Sequence, residues 1–591
     1  MVSPSSSLLL ATLLSLQAAR VAAQLPLPTQ PFLPPSPDFG ATPSTGSSLP
    51  NPHWSTLLGN GLFFYEAQRS GRLPSTNRVS WRNDSCINDG QDVNLDLSGG
   101  YYDAGNFIKA TFPLSFSIMQ ICWGAIDHGN GRYDISNQTA YLDDMLRWGL
   151  GWLIKAHPSP NTLFVQVDSG DADNAYWGGD RGIPQNRPSY QINDTNPGTD
   201  AAALAAAAFA SCSSLYSGRS FTSYSSPASL RNTSYASALL EHAQQLYSFA
   251  VNAKGGQMTY QTSVPVVKNS YPSSGYGDDL TIAALWLGLA QNDSTLISQA
   301  KGYYDQFQLD AQLKDSVFNW DSVLPGIPIL ATQIHQSYPQ LGGNDWQSRA
   351  EAYFDRVVSG KGAGKLTKGG LLYYDQASEL ASLNPALNAA MLLRRYAAIA
   401  TSTDKRDTYL QFAKNQIDYF LGKNPMSVPY VVGTNPNSPR NPHSAMASGG
   451  NDITNINTSP PVEAYTLYGA VVGGPDKRDK YYDLRDDWPQ TEVAVDYNAP
   501  LLTLAAMHVM NDTTDPFYTS LKAGAYATKK PSGHPCDPVY SCTPSLSTGA
   551  KIAIAVVVTV VGLVIIGGIV FLVVRYRRGK RLASSAQDPK F

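Results

Sequence analysis

A run of 23 residues without a charge, at positions 552–574, sets the first constraint on how this chain can fold. It is rich in Val and Ile, and about 20 apolar residues suffice to cross the hydrocarbon core of a bilayer. A buried core helix is the alternative, but such helices are seldom apolar around their whole circumference. Only Lys551 lies just before the run, whereas five basic residues follow it: Arg575, Arg577, Arg578, Lys580 and Arg581. This asymmetry predicts a single-pass type I membrane protein with a cytoplasmic tail at 575–591 and the bulk of the chain outside the cell.

The N-terminal end predicts secretion. An apolar run at residues 8–23 ends in Val21-Ala22-Ala23, which is typical of a signal peptide cleaved before Gln24, although no Lys or Arg precedes the run. A buried N-terminal helix is the alternative, but the Pro-rich linker at 24–52 follows at once and cannot continue a helix. Seven Asn-x-Ser/Thr sequons agree with a glycosylated extracellular protein, and they begin at Asn83, Asn137, Asn193, Asn232, Asn292, Asn457 and Asn511.

The chain has five cysteines, an odd number that leaves at least one thiol unpaired within it. We expect Cys536 and Cys542 to close a small loop. The others are Cys86, Cys122 and Cys212, and no CxxC pair faces a second pair, so the sequence predicts no structural zinc site.

Residues 53–510 form one block without a compositional break, which predicts a single large domain followed by a Ser/Thr/Pro/Gly stalk at 511–551. Strand-like alternation is scarce in this block, so the expected fold class is all-α. The formal net charge of −3 offers no basic field for a phosphate backbone and excludes nucleic acid as a partner. Apolar residues recur at helical spacing in segments 200–215, 234–252, 279–290, 345–358, 384–400, 406–421 and 497–510.

The first candidate for chemistry is Asp103, in the segment Gly99-Gly100-Tyr101-Tyr102-Asp103-Ala104-Gly105-Asn106. Glycines let the backbone turn tightly and leave a neighbouring acid unshielded, which is one way to present a carboxylate to a ligand. The alternative is an Asx-type turn, in which Asp103 bonds only its own backbone. The segment alone favours that turn.

A second acidic segment, residues 481–499, places Glu492 where an acid-rich loop meets an apolar helix. One interpretation is a carboxylate at a helix N-terminus, stabilised by the macrodipole. The other is a general acid whose pKa is raised by nearby Asp483 and by aromatic walls such as Trp488 and Tyr497. Glycoside hydrolysis needs such carboxyl pairs, because one protonates the departing oxygen while the other activates water or attacks the anomeric carbon.

Several segments, taken in order, resemble the glycoside hydrolase family 9 cellulases, here in a membrane-anchored, fungal-like form, over roughly residues 57–510. The segment at 481–499 fits the family's C-terminal active-site signature at every constrained position. The other matching motifs are Phe63-Phe64-Tyr65-Glu66-Ala67-Gln68-Arg69-Ser70-Gly71, Arg72-Leu73-Pro74, Asp103-Ala104-Gly105, Gln416-Ile417-Asp418-Tyr419-Phe420-Leu421-Gly422, Asn424-Pro425 and Val431-Val432-Gly433.

The resemblance implies an (α/α)6 barrel of twelve helices with an open cleft, and attack on β-1,4-glucan with inversion. Carried over by position, it implies Glu492 as the general acid, Asp483 as a supporting carboxylate and Tyr497 as a neighbour of the reacting sugar. His443, in Asn441-Pro442-His443-Ser444, matches the family's substrate-binding histidine. Trp177 is a candidate for stacking on sugars, with simple loop packing as an equal alternative.

Three departures from the family pattern bear on activity. The family usually reads Asp-Ala-Gly-Asp and uses the second aspartate as base, whereas this chain has Asn106, whose neutral amide cannot take a proton from water. Asp103 remains the nearest candidate base. Ala445 stands where an arginine for sugar hydroxyls is expected, and the segment at 371–378 has none of the tryptophans that are common there.

The sequence therefore predicts a membrane-anchored extracellular endoglucanase, which requires no cofactor and has β-1,4-glucan and the membrane as its partners; no protein partner is implied. Two alternatives stay open: a catalytically impaired glucan-binding ectodomain, because of Asn106, and a structural cell-wall tether, because of the stalk and anchor. The family often holds a structural calcium ion, and Asp200, Asp278 and Asp279 lie near the corresponding segments. Leu204, however, occupies a position where an acid is expected.

Overall fold

The computed structural model describes residues 24–44, 49–129, 131–221, 224–343, 345–541 and 548–585. The signal peptide predicted at 1–23 lies outside these residues, as does Cys542. The chain divides into two compact units, one running to Tyr540 and the other beginning at Ser541.

The first unit is built from long helices. Its described part contains twelve helices of 12 to 20 residues and seven shorter ones. In chain order the helices are α1 (Pro52–Ala67), α2 (Thr111–His128), α3 (Arg132–Ile135), α4 (Thr139–Ala156), α5 (Gly170–Asp173), α6 (Thr199–Ser217), α7 (Thr233–Asn252), α8 (Tyr260–Ser263), α9 (Gly277–Gln291), α10 (Ser294–Gln306), α11 (Leu309–Leu313), α12 (Gly326–Ser337), α13 (Gln347–Val358), α14 (Leu383–Ala397), α15 (Thr403–Phe420), α16 (Ala445–Ser448), α17 (Trp488–Thr491), α18 (Val495–Val509) and α19 (Ala525–Lys529).

The twelve long helices alternate between an inner and an outer ring. Helices α2, α6, α9, α12, α14 and α18 contact one another in that order, and α18 returns to contact α2, which closes the inner ring. The helices between them in sequence, α1, α4, α7, α10, α13 and α15, pack on the outside of this ring. The arrangement is the twelve-helix barrel that the sequence predicts.

The composition of the inner helices explains their place. All 18 residues of α2 are buried, as are nearly all those of α6 and α9, so these helices are enclosed by protein on every side and are mostly apolar or small. The outer helix α7 is amphipathic instead and is capped by Asn232, whose side chain accepts a hydrogen bond from the amide of Tyr235. A disulfide between Cys122 and Cys212 joins α2 to α6, and Cys86 is a buried free thiol, so the prediction of an unpaired cysteine is confirmed.

Strands are short and lie in the loops. Strands β1 (Lys109–Ala110), β2 (Thr162–Val167) and β3 (Ser189–Asn193) form an antiparallel sheet in that order. Its register pairs Lys109 with Val167 and Thr162 with Asn193. Two further antiparallel pairs are β4 (Ser220–Phe221) with β5 (Tyr224–Ser225), and β6 (Lys365–Leu366) with β7 (Leu372–Tyr373).

Both segments that flank the barrel pack on it. In the Pro-rich linker, the amide of Leu25 donates to Asp143, and the amide and hydroxyl of Ser44 donate to Asp515. Residues 511–540, part of the predicted stalk, bury Tyr518 and Tyr526 against the barrel. In the second unit, helix α20 (Thr548–Ser585) includes Ile552–Lys580, a stretch long and apolar enough to cross a membrane.

Candidate active site

The loops that precede the inner helices meet at one end of the barrel and enclose a cleft of about 830 Å³. Asp103 precedes α2, Tyr271 precedes α9, Trp320 precedes α12, and Glu492 precedes α18. Because the inner helices all start at this end, residues far apart in sequence come together here. Six of the seven predicted site residues line the cleft: Asp103, Asn106, Trp177, His443, Glu492 and Tyr497.

Asp103 is buried at the floor of the cleft. Its Oδ2 accepts a hydrogen bond from the Tyr271 hydroxyl, and its Oδ1 has no partner among the described residues. The Asx-type turn is therefore not formed. Burial raises the pKa of Asp103 to about 7, although the hydrogen bond from Tyr271 opposes the shift. A carboxylate with one oxygen anchored and one free can accept a proton at neutral pH.

Asn106 follows Asp103 in the same loop and is partly exposed. Its side-chain amide donates to Oδ1 of Asn174 at 3.0 Å, and its own Oδ1 has no partner among the described residues. The next two backbone amides, of Phe107 and Ile108, donate to Asp173 at 2.7 and 3.1 Å. Burial raises the pKa of Asp173 to about 7. The Asp173 carboxylate thus fixes the loop that carries Asn106.

Glu492 and His443 lie on adjacent, parallel backbone segments. They form a β-bridge, and the amide of His443 donates to the carbonyl of Thr491 at 2.8 Å. Burial and, secondarily, the charge of Asp103 raise the pKa of Glu492 to about 8. A carboxyl group with this pKa is protonated at neutral pH, as a general acid must be. Of the two interpretations of Glu492, the structure supports the acid in a cleft.

Glycine at position 105 allows these two loops to approach each other. A Cβ atom on Gly105 would lie 2.1 Å from the carbonyl oxygen of His443, which is too close for any side chain. The amide of Ala445 donates to the carbonyl of Gly105 at 2.8 Å, and the amide of Val495 donates to the carbonyl of Asp103 at 2.9 Å. The Asp103 loop is therefore bonded to the segment that follows His443 and to the segment that follows Glu492.

His443 is held neutral and oriented. Burial lowers its pKa to about 4, and its Nδ1 lies 2.5 Å from the carbonyl oxygen of Arg485, so Nδ1 carries the proton. The ring of Trp177 packs against it, with centroids 4.8 Å apart and planes tilted by 55°. Trp177 is 2% exposed. Trp177 lines the cleft but is packed against His443, so in this conformation little of its ring is open for stacking on sugar.

Other aromatic side chains are more open to the cleft. Trp320, Trp488 and Tyr497 line it and are each partly exposed. Trp320 stands edge-on to Tyr271, with ring centroids 4.9 Å apart. Trp320 was not predicted, because nothing in Asn319-Trp320-Asp321 marks it as different from a buried tryptophan. The opposite wall, at Gln376 and Ala377, has no tryptophan, as the sequence indicates.

Asp483 is the one predicted site residue that does not line the cleft. Its carboxylate accepts hydrogen bonds from the backbone amides of Arg440 and Asn441, at 3.1 to 3.2 Å, and from the Asn441 side chain. These contacts fix the loop that leads to His443. Asp483 therefore bonds the backbone of that loop and does not line the cleft.

The cleft is lined by acids without a lysine or arginine among its described lining residues. The carboxyl groups are those of Asp103, Asp173, Asp321, Asp486, Glu492 and Asp496. Burial raises the pKa of Asp321 and Asp496 as well. Sequence reasoning missed Asp173, since a lone acid in a loop carries no motif of its own, and it did not single out Asp496 within the segment 481–499.

The acids near the expected calcium segments differ in how they are bonded: Asp200 accepts backbone hydrogen bonds, whereas both carboxylate oxygens of Asp279 are buried without a partner among the described residues. Backbone amides of Ala201 and Tyr260 already bond the carboxylate of Asp200, and Leu204 is a buried apolar side chain. Within the described part of the chain, no three His, Cys, Asp or Glu side chains are grouped as a metal site requires.

Comparison with known proteins decides the family. Residues 54–505 match the sequence profile described as glycosyl hydrolase family 9. The chain belongs to glycosyl hydrolase family 9.

Relatives in family 9 come from bacteria and plants. Endoglucanase A of Bacillus pumilus is 37% identical over 75% of this chain, and the match spans 64% of that relative's own length. Endoglucanase 13 of Arabidopsis thaliana is 34% identical over 77% of this chain and 93% of the relative. The first three curated relatives are matched over 64%, 66% and 42% of their lengths, so this chain covers less than two thirds of each.

Solved family 9 structures share the fold. An endoglucanase from the termite Nasutitermes takasagoensis superposes with a TM-score of 0.68 at 35% identity, over 77% of this chain and 98% of that one. Endoglucanase CelQ of Clostridium thermocellum, complexed with cellotriose, gives a TM-score of 0.65 at 27% identity, over 79% of this chain and 72% of that one. The family resemblance and the (α/α)6 barrel predicted from sequence are confirmed.

Proposed function

We propose that this family 9 protein is an endo-β-1,4-glucanase that hydrolyses internal bonds of cellulose or a related β-glucan with inversion. The observation that carries the proposal is the placement of Glu492 and Asp103 on one cleft, each with a raised pKa. Several family 9 relatives are named endoglucanases, and the CelQ structure holds a cello-oligosaccharide, which supports the same substrate class.

Glu492 is the proposed general acid. With a pKa of about 8 it is protonated at neutral pH. It donates this proton to the glycosidic oxygen as the bond from that oxygen to the anomeric carbon breaks. The hydrogen bond from the Gly105 amide holds the carboxyl group, and the nearby charge of Asp103 favours its protonated form.

Asp103 is the proposed base. The water molecule attacks the anomeric carbon from the face opposite the departing oxygen, and a carboxylate must take its proton. The free Oδ1 of Asp103 can do so, while Oδ2 stays bonded to Tyr271. Asn106 cannot accept the proton, but its unpartnered Oδ1 can accept a hydrogen bond from the same water molecule.

Aromatic side chains and amides supply the binding surface. Trp320, Trp488 and Tyr497 are partly exposed in the cleft and offer faces to apolar sugar surfaces. His443 presents its unprotonated Nε2, an acceptor for a sugar hydroxyl, because Nδ1 is committed to Arg485.

A catalytically impaired glucan-binding protein is the second candidate, and the Asn106–Asn174 pair favours it. Loss of the usual base removes assistance that is typically worth about 10²- to 10⁴-fold in rate. The binding surface is unaffected by that loss. The two candidate functions predict different turnover of β-glucan and the same affinity for it.

The deciding experiment measures both quantities on the full-length chain in detergent micelles. Reducing-end release from mixed-linkage glucan and cellohexaose reports turnover, and NMR of the first product reports its anomer. Calorimetry with cellotetraose reports affinity. Release of the α-anomer establishes the inverting enzyme, affinity without turnover establishes the binding protein, and the absence of both overturns the two candidates.

The proposed topology is a single-pass type I protein of the cell membrane, with the barrel outside the cell and the tail at 575–591 inside. The apolar stretch Ile552–Lys580 and the basic residues at its C-terminal end support this orientation. Protease added to intact cells should remove an epitope placed before residue 53 and spare one placed after residue 591. The reverse pattern would contradict the orientation.

A further inference from the structure

The segment that follows the family 9 domain reaches back to the cleft. Residues 511–540, which we name the C-terminal extension, lie beyond the matched residues 54–505. The extension is anchored along its length: the indole of Trp54 donates to the carbonyl of Thr514, and the Asn435 side chain donates to the carbonyl of Tyr518, both at 3.1 Å. Its last residue within the first compact unit is Tyr540.

Tyr540 contacts a residue that lines the cleft. Its hydroxyl donates to Oδ2 of Asp486 at 2.6 Å, a length typical of a hydrogen bond to a charged acceptor. A tight turn presents Tyr540, because Oδ1 of Asp537 accepts hydrogen bonds from the amides of Val539 and Tyr540 at 3.0 and 2.9 Å. The ring of His534 lies parallel to that of Tyr540, with centroids 5.8 Å apart.

Asp486 joins this extension to the substrate-binding wall. It lies between Arg485, whose carbonyl orients His443, and the short helix α17, which begins at Trp488. On its other side, the backbone amide of Asp486 donates to the side chain of Asn457 at 3.2 Å. The side chain of Asp486 has Tyr540 as its hydrogen-bond partner on Oδ2, while Oδ1 is buried without a partner among the described residues.

We infer that Tyr540 is a positioning residue for substrate binding, which acts through Asp486 to hold the Arg485–Trp488 turn against the cleft. The end of the C-terminal extension, at Tyr540, then supports the substrate-binding wall, whereas Tyr518 only anchors the extension to the barrel. The inference rests on the proposed function, because it assigns a role at the cleft that the proposed reaction uses. Residues that bind a sugar equally in the ground and transition states change KM and leave kcat unaltered.

The test compares three variants of the full-length chain in detergent micelles. Tyr540→Phe removes the hydroxyl and keeps the ring, and Asp486→Asn keeps the shape and removes the charge. Tyr518→Phe is the matched control: it removes a hydroxyl from the same extension that donates to the carbonyl of His53, away from the cleft. Turnover of cellohexaose gives kcat and KM, and calorimetry with cellotetraose gives Kd.

We expect Tyr540→Phe to raise KM and Kd about tenfold, because hydrogen bonds to charged groups are the stronger class, while kcat stays within about twofold. Tyr518→Phe should match the wild type. The double variant Tyr540→Phe/Asp486→Asn should bind cellotetraose no more weakly than the single variant with the higher Kd. Both substitutions break the same hydrogen bond, between Tyr540 and Asp486. Additive losses, or a Tyr540→Phe variant that behaves as Tyr518→Phe does, would overturn the inference.

The binding measurement separates this inference from the proposed function. If the wild type binds cellotetraose without cleaving cellohexaose, and Tyr540→Phe weakens that binding, the positioning role stands while the catalytic proposal fails. If the wild type cleaves and Tyr540→Phe leaves KM and Kd unchanged, the catalytic proposal stands and the positioning role fails. A wild type that neither binds nor cleaves overturns both.

Discussion

Asn106 donates its side-chain amide to Oδ1 of Asn174 at 3.0 Å, so two neutral amides face each other where the family places its catalytic base. Asp103, the nearest carboxylate on the same loop, lies deeper and is held by Tyr271. The reaction proposed for this chain therefore depends on a buried base with a neutral neighbour. Single substitutions at Asn106, Asp103 and Glu492 should therefore have different effects on the rate.

Asn106→Asp should raise kcat about tenfold or more, because a partly exposed carboxylate at this position can take the proton of the attacking water. Initial rates on cellohexaose check the prediction. Asn174→Asp is the control, since it adds the same charge to the same pair from the other loop. An equal gain in both variants would show that added negative charge, rather than a base at position 106, raises the rate.

Glu492→Gln and Asp103→Asn should each lower kcat on cellohexaose by about 10²- to 10⁴-fold and leave the Kd for cellotetraose within a few-fold. They should differ on an aryl cellobioside whose phenol leaves without protonation. Glu492→Gln should recover most of its activity there, because the acid is no longer needed, whereas Asp103→Asn should stay impaired. Recovery of the Asp103 variant alone would reverse the two assigned roles.

The pH dependence of kcat/KM should be bell-shaped and centred near neutrality. Asp103 must be ionised, so the rate should rise as pH increases through its pKa of about 7, and Glu492 must be protonated, so the rate should fall above its pKa of about 8. Because the two carboxyl groups interact, the apparent pKa values of the two limbs of the pH profile describe the pair rather than either residue alone. Tyr271→Phe removes a donor that lowers the pKa of Asp103, so the acidic limb should move to higher pH. A limb that stays in place would exclude Asp103 as the titrating base.

Negative charge on the polysaccharide should lower the activity of this protein on it. The cleft lining holds six carboxyl groups and no described lysine or arginine, so a carboxymethylated chain is repelled where a neutral one is not. Activity on hydroxyethylcellulose relative to carboxymethylcellulose should therefore increase between pH 6 and pH 9, as more of these groups ionise. Added salt should narrow the difference. A ratio that does not change with pH or salt would contradict this account.

Local sequence pattern predicts individual helices, whereas the barrel and the two carboxyl groups proposed to act in catalysis follow from the family resemblance. Helix α6 is visible from its alanine run, and helix α7 from its apolar spacing, so local pattern is enough. Glu492 and His443 are visible because they belong to motifs. Trp320 and Asp173 are not visible, since their function arises only when loops before α12 and α6 meet.

One residue and one segment show what a sequence pattern leaves unspecified. Asp483 fits an active-site signature, yet it bonds the backbone of Arg440 and Asn441, and a motif records spacing without recording direction. Residues 511–540 have the composition of a stalk, yet Tyr518 and Tyr526 are buried. Composition averages over a segment, whereas a few well-placed tyrosines are enough to anchor it.

The closed ring of inner helices also bears on how such a protein can change over time. Cohesion comes from contacts between α2, α6, α9, α12, α14 and α18, whereas the chemistry is carried by the loops before them. A substitution in a loop, such as Asn106 in place of a carboxylate, leaves the contacts between the inner helices unchanged. Natural variation can therefore remove, relocate or restore a reactive group while the scaffold persists, and a shared architecture among descendants is a poor guide to which of them still turn over substrate.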